Sequence, residues 1–235
     1  MQHCPNCRAE LEPAGRCPAC GAIVFTPSAP ATLTLQGHIP TVITGQEDAA
    51  TGDIVLKVDA PKMRSEARTT REGRVSLTVT GAEEIGEKGE PRAIKTFCEK
   101  LGQDGLVVST VPGVNADGED DILLYAGRRY PIQVTMAIGA PEFWSNARVA
   151  SAMTHVQVQG AVSWIRERIE AKANKVGLNT VLLLDACHAV PVTSSEVIST
   201  YLHTYGSPAR EFGFSSVYVV GPAAMYCCRL GEGTP

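Results

Sequence analysis

The sequence predicts an α/β protein preceded by a small cysteine-rich segment. Runs with apolar residues at every second position alternate with runs at helical spacing. "TVLLLDA", residues 180 to 186, is a near-continuous apolar run of the kind that forms a strand covered on both faces. Four of the eight cysteines fall in the first 20 residues as two C-x2-C pairs. At 235 residues and 44% hydrophobic side chains, the chain is long enough for one sizeable core and a small attachment.

The first element is the cysteine cluster: Cys4 and Cys7 in "CPNC", then Cys17 and Cys20 in "CPACG", with nine residues between the pairs. Two residues between thiolates let a tight turn aim both sulfurs at one ion, and two such knuckles complete a tetrahedral zinc site. The segment 1 to 25 resembles a short zinc ribbon. Four thiolates leave no position for a catalytic water, so the zinc is expected to be structural. A segment this short buries too little apolar surface to fold alone, and the metal is expected to supply much of its folding energy.

Residues 26 to 53 read as a linker, clearest in "TPSAPATLTLQG", where Pro, Ser, Ala and Thr concentrate. Residues 54 to 81 read as a strand pair: "DIVLKVDAP" and "GRVSLTVTG" alternate at period 2, separated by the charged "KMRSEARTTRE". The main domain is expected over 82 to 235. It opens with a helix from Ala82 to Leu101, clearest from Pro91, with Gly102 as its stop. "GLVVSTVPG" follows as a strand. "DDILLYAGRRYPIQVTMAI", residues 120 to 138, follows as a hairpin turning at Gly127, Arg128 and Arg129.

A long helix begins somewhere after Pro141 and is best seen in "GAVSWIRERIEAKANKVG". The strand "TVLLLDA" comes next, then the helix "TSSEVISTYLHTYG", with capping-box spacing from Thr193 to Glu196 and Gly206 as its stop. "SSVYVVGP" and "MYCCRL" close the chain as strands.

This order resembles the restriction endonuclease-like fold of the PD-(D/E)xK nuclease superfamily over about residues 82 to 230, a mixed sheet flanked by helices. In that family an acidic residue opens the second core strand. An acidic residue or glutamine lies on the third, with a lysine two positions on. Asp121, with Asp120 beside it as an alternative ligand, matches the first element and Gln133 the second. The resemblance implies a phosphodiesterase site in which Asp120, Asp121 and Gln133 hold Mg2+ or Mn2+, joined by the Val134 carbonyl. Glu87 or Glu90 resembles the extra glutamate that some members carry in the first helix.

The sequence departs from the pattern at Thr135, where the family has its lysine. A threonine hydroxyl orients water but supplies no charge. Arg128, Arg129 and Lys172 are the candidates for a substitute cation. The partner this implies is DNA or RNA.

Two other function classes are open. "LLLDACHA" looks like the nucleophile segment of caspase-like peptidases, with Cys187 as nucleophile and His155 as its base, although the His-Gly step of that family is missing. A non-catalytic adaptor binding nucleic acid or protein is the third class. The long helix offers it Arg166, Arg168, Lys172 and Lys175 against Glu167 and Glu170. The formal charge of -4 gives no global basic field, so nucleic acid would be met through a local patch.

No window approaches the roughly 18 apolar residues of a membrane helix. "MQHCPNC" lacks the basic start and apolar stretch of a secretory signal. A cytoplasmic protein without membrane contact is expected, and its cysteines suit a reducing compartment.

Elemental analysis of the purified chain is expected to find about one zinc per molecule, with a Cys4→Ser/Cys17→Ser variant losing it. Zinc retained by that variant would place the metal elsewhere.

Overall fold

The computed structural model describes residues 2–3, 10–11, 15–16, 23–24, 31–35, 41–60, 63–72, 74–81, 89–113, 119–137, 143–144, 146–147, 151–173, 175 and 179–231. Side chains are described from residue 42 onward, except at 60, 63 and 151–156.

The chain begins with four short strands, β1 (Gln2–His3), β2 (Glu10–Leu11), β3 (Gly15–Arg16) and β4 (Ile23–Val24). Then come β5 (Ala31–Leu35), β6 (Thr41–Glu47), β7 (Ile54–Ala60), β8 (Met63–Thr69) and β9 (Val75–Thr80). Helix α1 (Glu90–Gln103) leads into β10 (Val108–Pro112), β11 (Asp121–Tyr125), β12 (Arg128–Met136) and β13 (Ser151–Val156). Helix α2 (Val158–Ala173), β14 (Val181–Asp185), α3 (Ser195–Tyr205), α4 (Pro208–Phe212), β15 (Ser216–Val220) and β16 (Cys227–Arg229) complete it. Among the described residues, no helix is long and apolar enough to cross a membrane.

Two compact units divide the chain: Met1–Glu83 with Glu142–Gln157, and Glu84–Pro141 with Val158–Pro235. The expected domain over 82 to 235 is therefore interrupted, because β13 pairs antiparallel with β9 and so belongs to the first unit. The first unit holds a six-stranded antiparallel sheet in the order β13-β9-β8-β7-β6-β5.

Two expectations in this region are corrected. The segment 26 to 53 contains β5 and β6 where a linker was expected, since its threonines alternate with Leu, Val and Ile and suit a pleated strand. The strand pair over 54 to 81 is three strands, because "MRSEART" is itself β8. Its inward positions are the small residues Ser65 and Ala67, both buried, and its outward ones are Arg64, Glu66 and Arg68. Small inward residues hide the apolar alternation while leaving room for Val58 and Val79, which flank Ser65 in register.

Ahead of this sheet, β1 pairs with β2 and β3 with β4, both antiparallel. In sequence these two pairs bracket Cys4 and Cys7, then Cys17 and Cys20. The four cysteines lie outside the described residues.

The second unit is a mixed sheet in the order β10-β11-β12-β14-β15-β16. β10, β11 and β12 form an antiparallel meander; β12, β14 and β15 are parallel, and β16 returns antiparallel. Within this unit the element order is helix, three strands, helix, strand, two helices, strand, strand, which is the expected order with the short α4 added.

Helix α1 packs across β10, β12, β14, β15 and β16. Its Ala93, Ile94, Phe97 and Leu101 meet Leu123, Ile132, Val134, Val181, Leu183, Tyr218 and Val220 in one core. The Phe97 and Tyr218 rings lie 4.8 Å apart, tilted at 59°. β14 is buried at all five positions. Helix α1 takes Val181 and Leu183, and α2, which also packs on β14, covers the alternate face. Burying an aromatic or branched side chain of this kind contributes about 1.5–3 kcal/mol.

Helix α3 starts one residue later than the capping box implied. Ser194 is its N-cap, its Oγ accepting from the Val197 nitrogen at 3.3 Å, while the Thr193 hydroxyl donates to the Val190 carbonyl at 2.8 Å. The β11–β12 turn is also corrected: it is the two residues Ala126 and Gly127, with Tyr125 opposite Arg128. Both turn residues have positive φ, 48° and 72°, as a two-residue hairpin loop matching the right-handed strand twist requires.

Alanine tolerates the left-handed region poorly and asparagine well. Ala126→Asn is expected to raise stability by roughly 0.5 kcal/mol or more, read as a higher urea midpoint.

Candidate functional site

Counting from the two-residue turn, Asp121 stands opposite Ile132, the last pair of the ladder. The nitrogen of Asp120, the residue before it, donates to the Ile132 carbonyl at 2.9 Å. Asp120 Oδ2 accepts from Gln133 Nε2 at 2.6 Å and from the Val134 nitrogen at 2.6 Å. Gln133 is only 7% exposed, so its amide needs a polar partner, and Asp120 supplies it.

Asp121 points to the other face. Its Oδ1 accepts from the Ile122 nitrogen at 3.0 Å, and its charge adds to the burial that pushes the Cys98 thiol on α1 up to about 11. The structure thus brings Asp120 to Gln133 where the sequence pattern favoured Asp121. Both aspartates line a cleft of about 360 Å³ with Glu90, Thr110 and Pro112. Glu87 lies outside the described residues.

Thr135 shares Gln133's face by alternation and is half-buried. Of the three candidate cations, Arg128 and Arg129 are exposed beside the hairpin turn. Lys172, in the last turn of α2, is half-buried. Burial pulls its ammonium below the ordinary lysine range, Asp120 pulls it back up, Lys175 lowers it and Glu90 raises it. Among the described residues, no three His, Cys, Asp or Glu side chains are gathered as a metal cluster.

The second constellation surrounds Cys187, the nucleophile of the peptidase expectation. Cys187 is 1% exposed, and its Sγ donates to the Gly221 carbonyl at 3.2 Å. Burial raises this thiol well above its ordinary value, and Asp185 raises it further. The Cys187 nitrogen donates to Asp185 Oδ1 at 2.9 Å. His188, also 1% exposed, has its Nε2 2.6 Å from Arg92 Nη2. A guanidinium only donates, so Nε2 is the acceptor and the proton sits on Nδ1, for which no partner is found among the described residues.

Burial, and then Arg92, holds His188 neutral by lowering it well below the imidazole range. Arg92 Nη2 also lies 3.8 Å from Asp185 Oδ2. Burial thus favours the protonated thiol and the neutral imidazole. His155 is on β13 opposite Ser76, and its side chain lies outside the described residues.

Arg92 is the residue that sequence reasoning missed. Its only signal was a charge on the first turn of an otherwise amphipathic helix, a position where solvated arginines are common.

No family model matches this sequence, and no curated protein or solved structure is significantly similar to it.

Mapping iodoacetamide adducts on the native protein is expected to leave Cys187 unmodified until urea unfolds the chain. Rapid native labelling would contradict the burial of Cys187.

Proposed function

We propose that the second unit is a divergent metal-dependent nuclease-like domain acting on DNA or RNA, carried on the same chain as a structural zinc ribbon. The observation that carries this reading is the hydrogen-bonded Asp120–Gln133 pair, of which Asp120 lines a cleft that Glu90 also lines. The order of helix, three-stranded meander, helix and parallel strand supports the resemblance to the restriction endonuclease-like fold. The two short strand pairs bracketing the cysteine pairs support the ribbon.

The donors fit Mg2+ or Mn2+ better than a caged metal. Mg2+ is held by one or two carboxylates together with waters and substrate phosphates, and that is how sparse this set is. Asp120, Gln133 and Glu90 would hold the ion, with Asp120 Oδ1 as the oxygen not engaged by Gln133 or Val134. Binding through Gln133 would turn its amide over, replacing Nε2 by Oε1. The ion would neutralise phosphate charge and lower the pKa of a nearby water. Thr135 orients water on the same face.

A binding role without catalysis is the second reading. It is favoured by the closed Gln133–Asp120 hydrogen bond and by a hydroxyl where the family pattern has a cation.

Labelled single- and double-stranded DNA and RNA, incubated with the zinc-loaded chain and Mg2+ or Mn2+, are expected to be cut. Asp120→Asn should slow cutting by at least about a hundredfold, and Asp121→Asn by much less. Binding without metal-dependent cutting would leave the second reading, and cutting unchanged in Asp120→Asn would remove the site.

A further inference from the structure

The apolar stripe of α2 runs through Ala161, Val162, Ile165 and Ile169, all buried. Lys172 is three residues past Ile169 and seven past Ile165, so it continues that stripe instead of standing on the polar side. The stripe packs toward β14 on the face opposite α1, the face that β12 supplies with Gln133 and Thr135. A lysine in the last turn is commonplace where it answers the helix dipole from solvent. This one is half-buried, and its charge is within electrostatic reach of Asp120 and Glu90.

Arg128 and Arg129 do not compete for the position. Arg128 is opposite Tyr125, four residues along β11 from Asp121, roughly 13 Å at strand spacing.

We propose that Lys172 replaces the lysine absent at position 135, bringing from α2 a cation to the phosphate that Asp120 and Gln133 address. This rests on the nuclease reading above. In the step it serves, a water oxygen bonds to phosphorus while the bond to the sugar oxygen breaks. One water proton passes to solvent and the sugar oxygen takes one up. The Lys172 ammonium offsets the negative charge gathering on the phosphoryl oxygens.

Two measurements on Lys172→Met test this. In Mn2+ titration by calorimetry, without nucleic acid, removing a like charge beside Asp120 is expected to tighten binding by about threefold or more. In the cleavage assay kcat is expected to fall by at least about a hundredfold with little change in KM, and Thr135→Lys added to Lys172→Met is expected to restore part of it.

Mn2+ affinity unchanged or weakened in Lys172→Met overturns the placement, whether or not the chain cuts. Cutting kept by Lys172→Met overturns the role alone. A wild-type chain that binds no Mn2+ and cuts nothing overturns the parent reading and this role with it.

Discussion

Two residues with positive φ, Ala126 and Gly127, close the β11–β12 hairpin, and that closure decides which aspartate meets Gln133. Side chains alternate faces with period 2, so lengthening the turn by one residue would shift the register and move every β11 side chain against a different partner. With the two-residue turn, Ile122, Leu123 and Leu124 oppose Pro131, Tyr130 and Arg129, and Leu123 and Ile132 enter the core under Phe97. The core and the polar pair are thus fixed together. Leu123 faces α1, and Asp121, two residues earlier, is turned to the same side, where its charge reaches Cys98.

The expected turn at Gly127, Arg128 and Arg129 stands at Ala126 and Gly127 instead. "AG" is a weaker hairpin signal than "NG" or "DG", and the following arginines resemble loop residues as much as strand residues. Elsewhere the legible parts were those with strong periodicity. α1 from Pro91, the apolar β14 and α3 ending at Gly206 all stand close to where the sequence put them.

What stayed hidden was β8, whose inward face is Ser65 and Ala67, and β13, whose place in the first sheet depends on a partner about 75 residues earlier. Neither local composition nor periodicity records such a pairing. Arg92 was hidden for a similar reason, because its partners Asp185 and His188 come from the far end of β14.

That buried group gives the residues of "LDACHA" packing and hydrogen-bond partners within the second unit. Asp185 ends β14 where the chain must turn, and its carboxylate accepts from the Cys187 nitrogen, so the turn closes on an acceptor already in place. A buried carboxylate is costly unless a cation answers it, and Arg92, on the first turn of α1, does so while also donating to His188. The result ties the start of α1 to the end of β14. Glu90, two residues before Arg92, lines the candidate cleft, so the same anchor limits how far that carboxylate can move from Asp120.

The one departure from the nuclease pattern on β12, Thr135 for lysine, leaves that strand without its positive charge. Gln133 and Thr135 are both neutral, so β12 itself carries no charge at either position. On the nuclease reading, Lys172 returns a positive charge from α2, within electrostatic reach of Asp120. A cation placed there would weaken the hold on a bare divalent ion and strengthen the hold on a phosphodiester. On the nuclease reading, an ion here is better bound with the substrate than before it, its remaining positions filled by phosphate oxygens instead of further carboxylates.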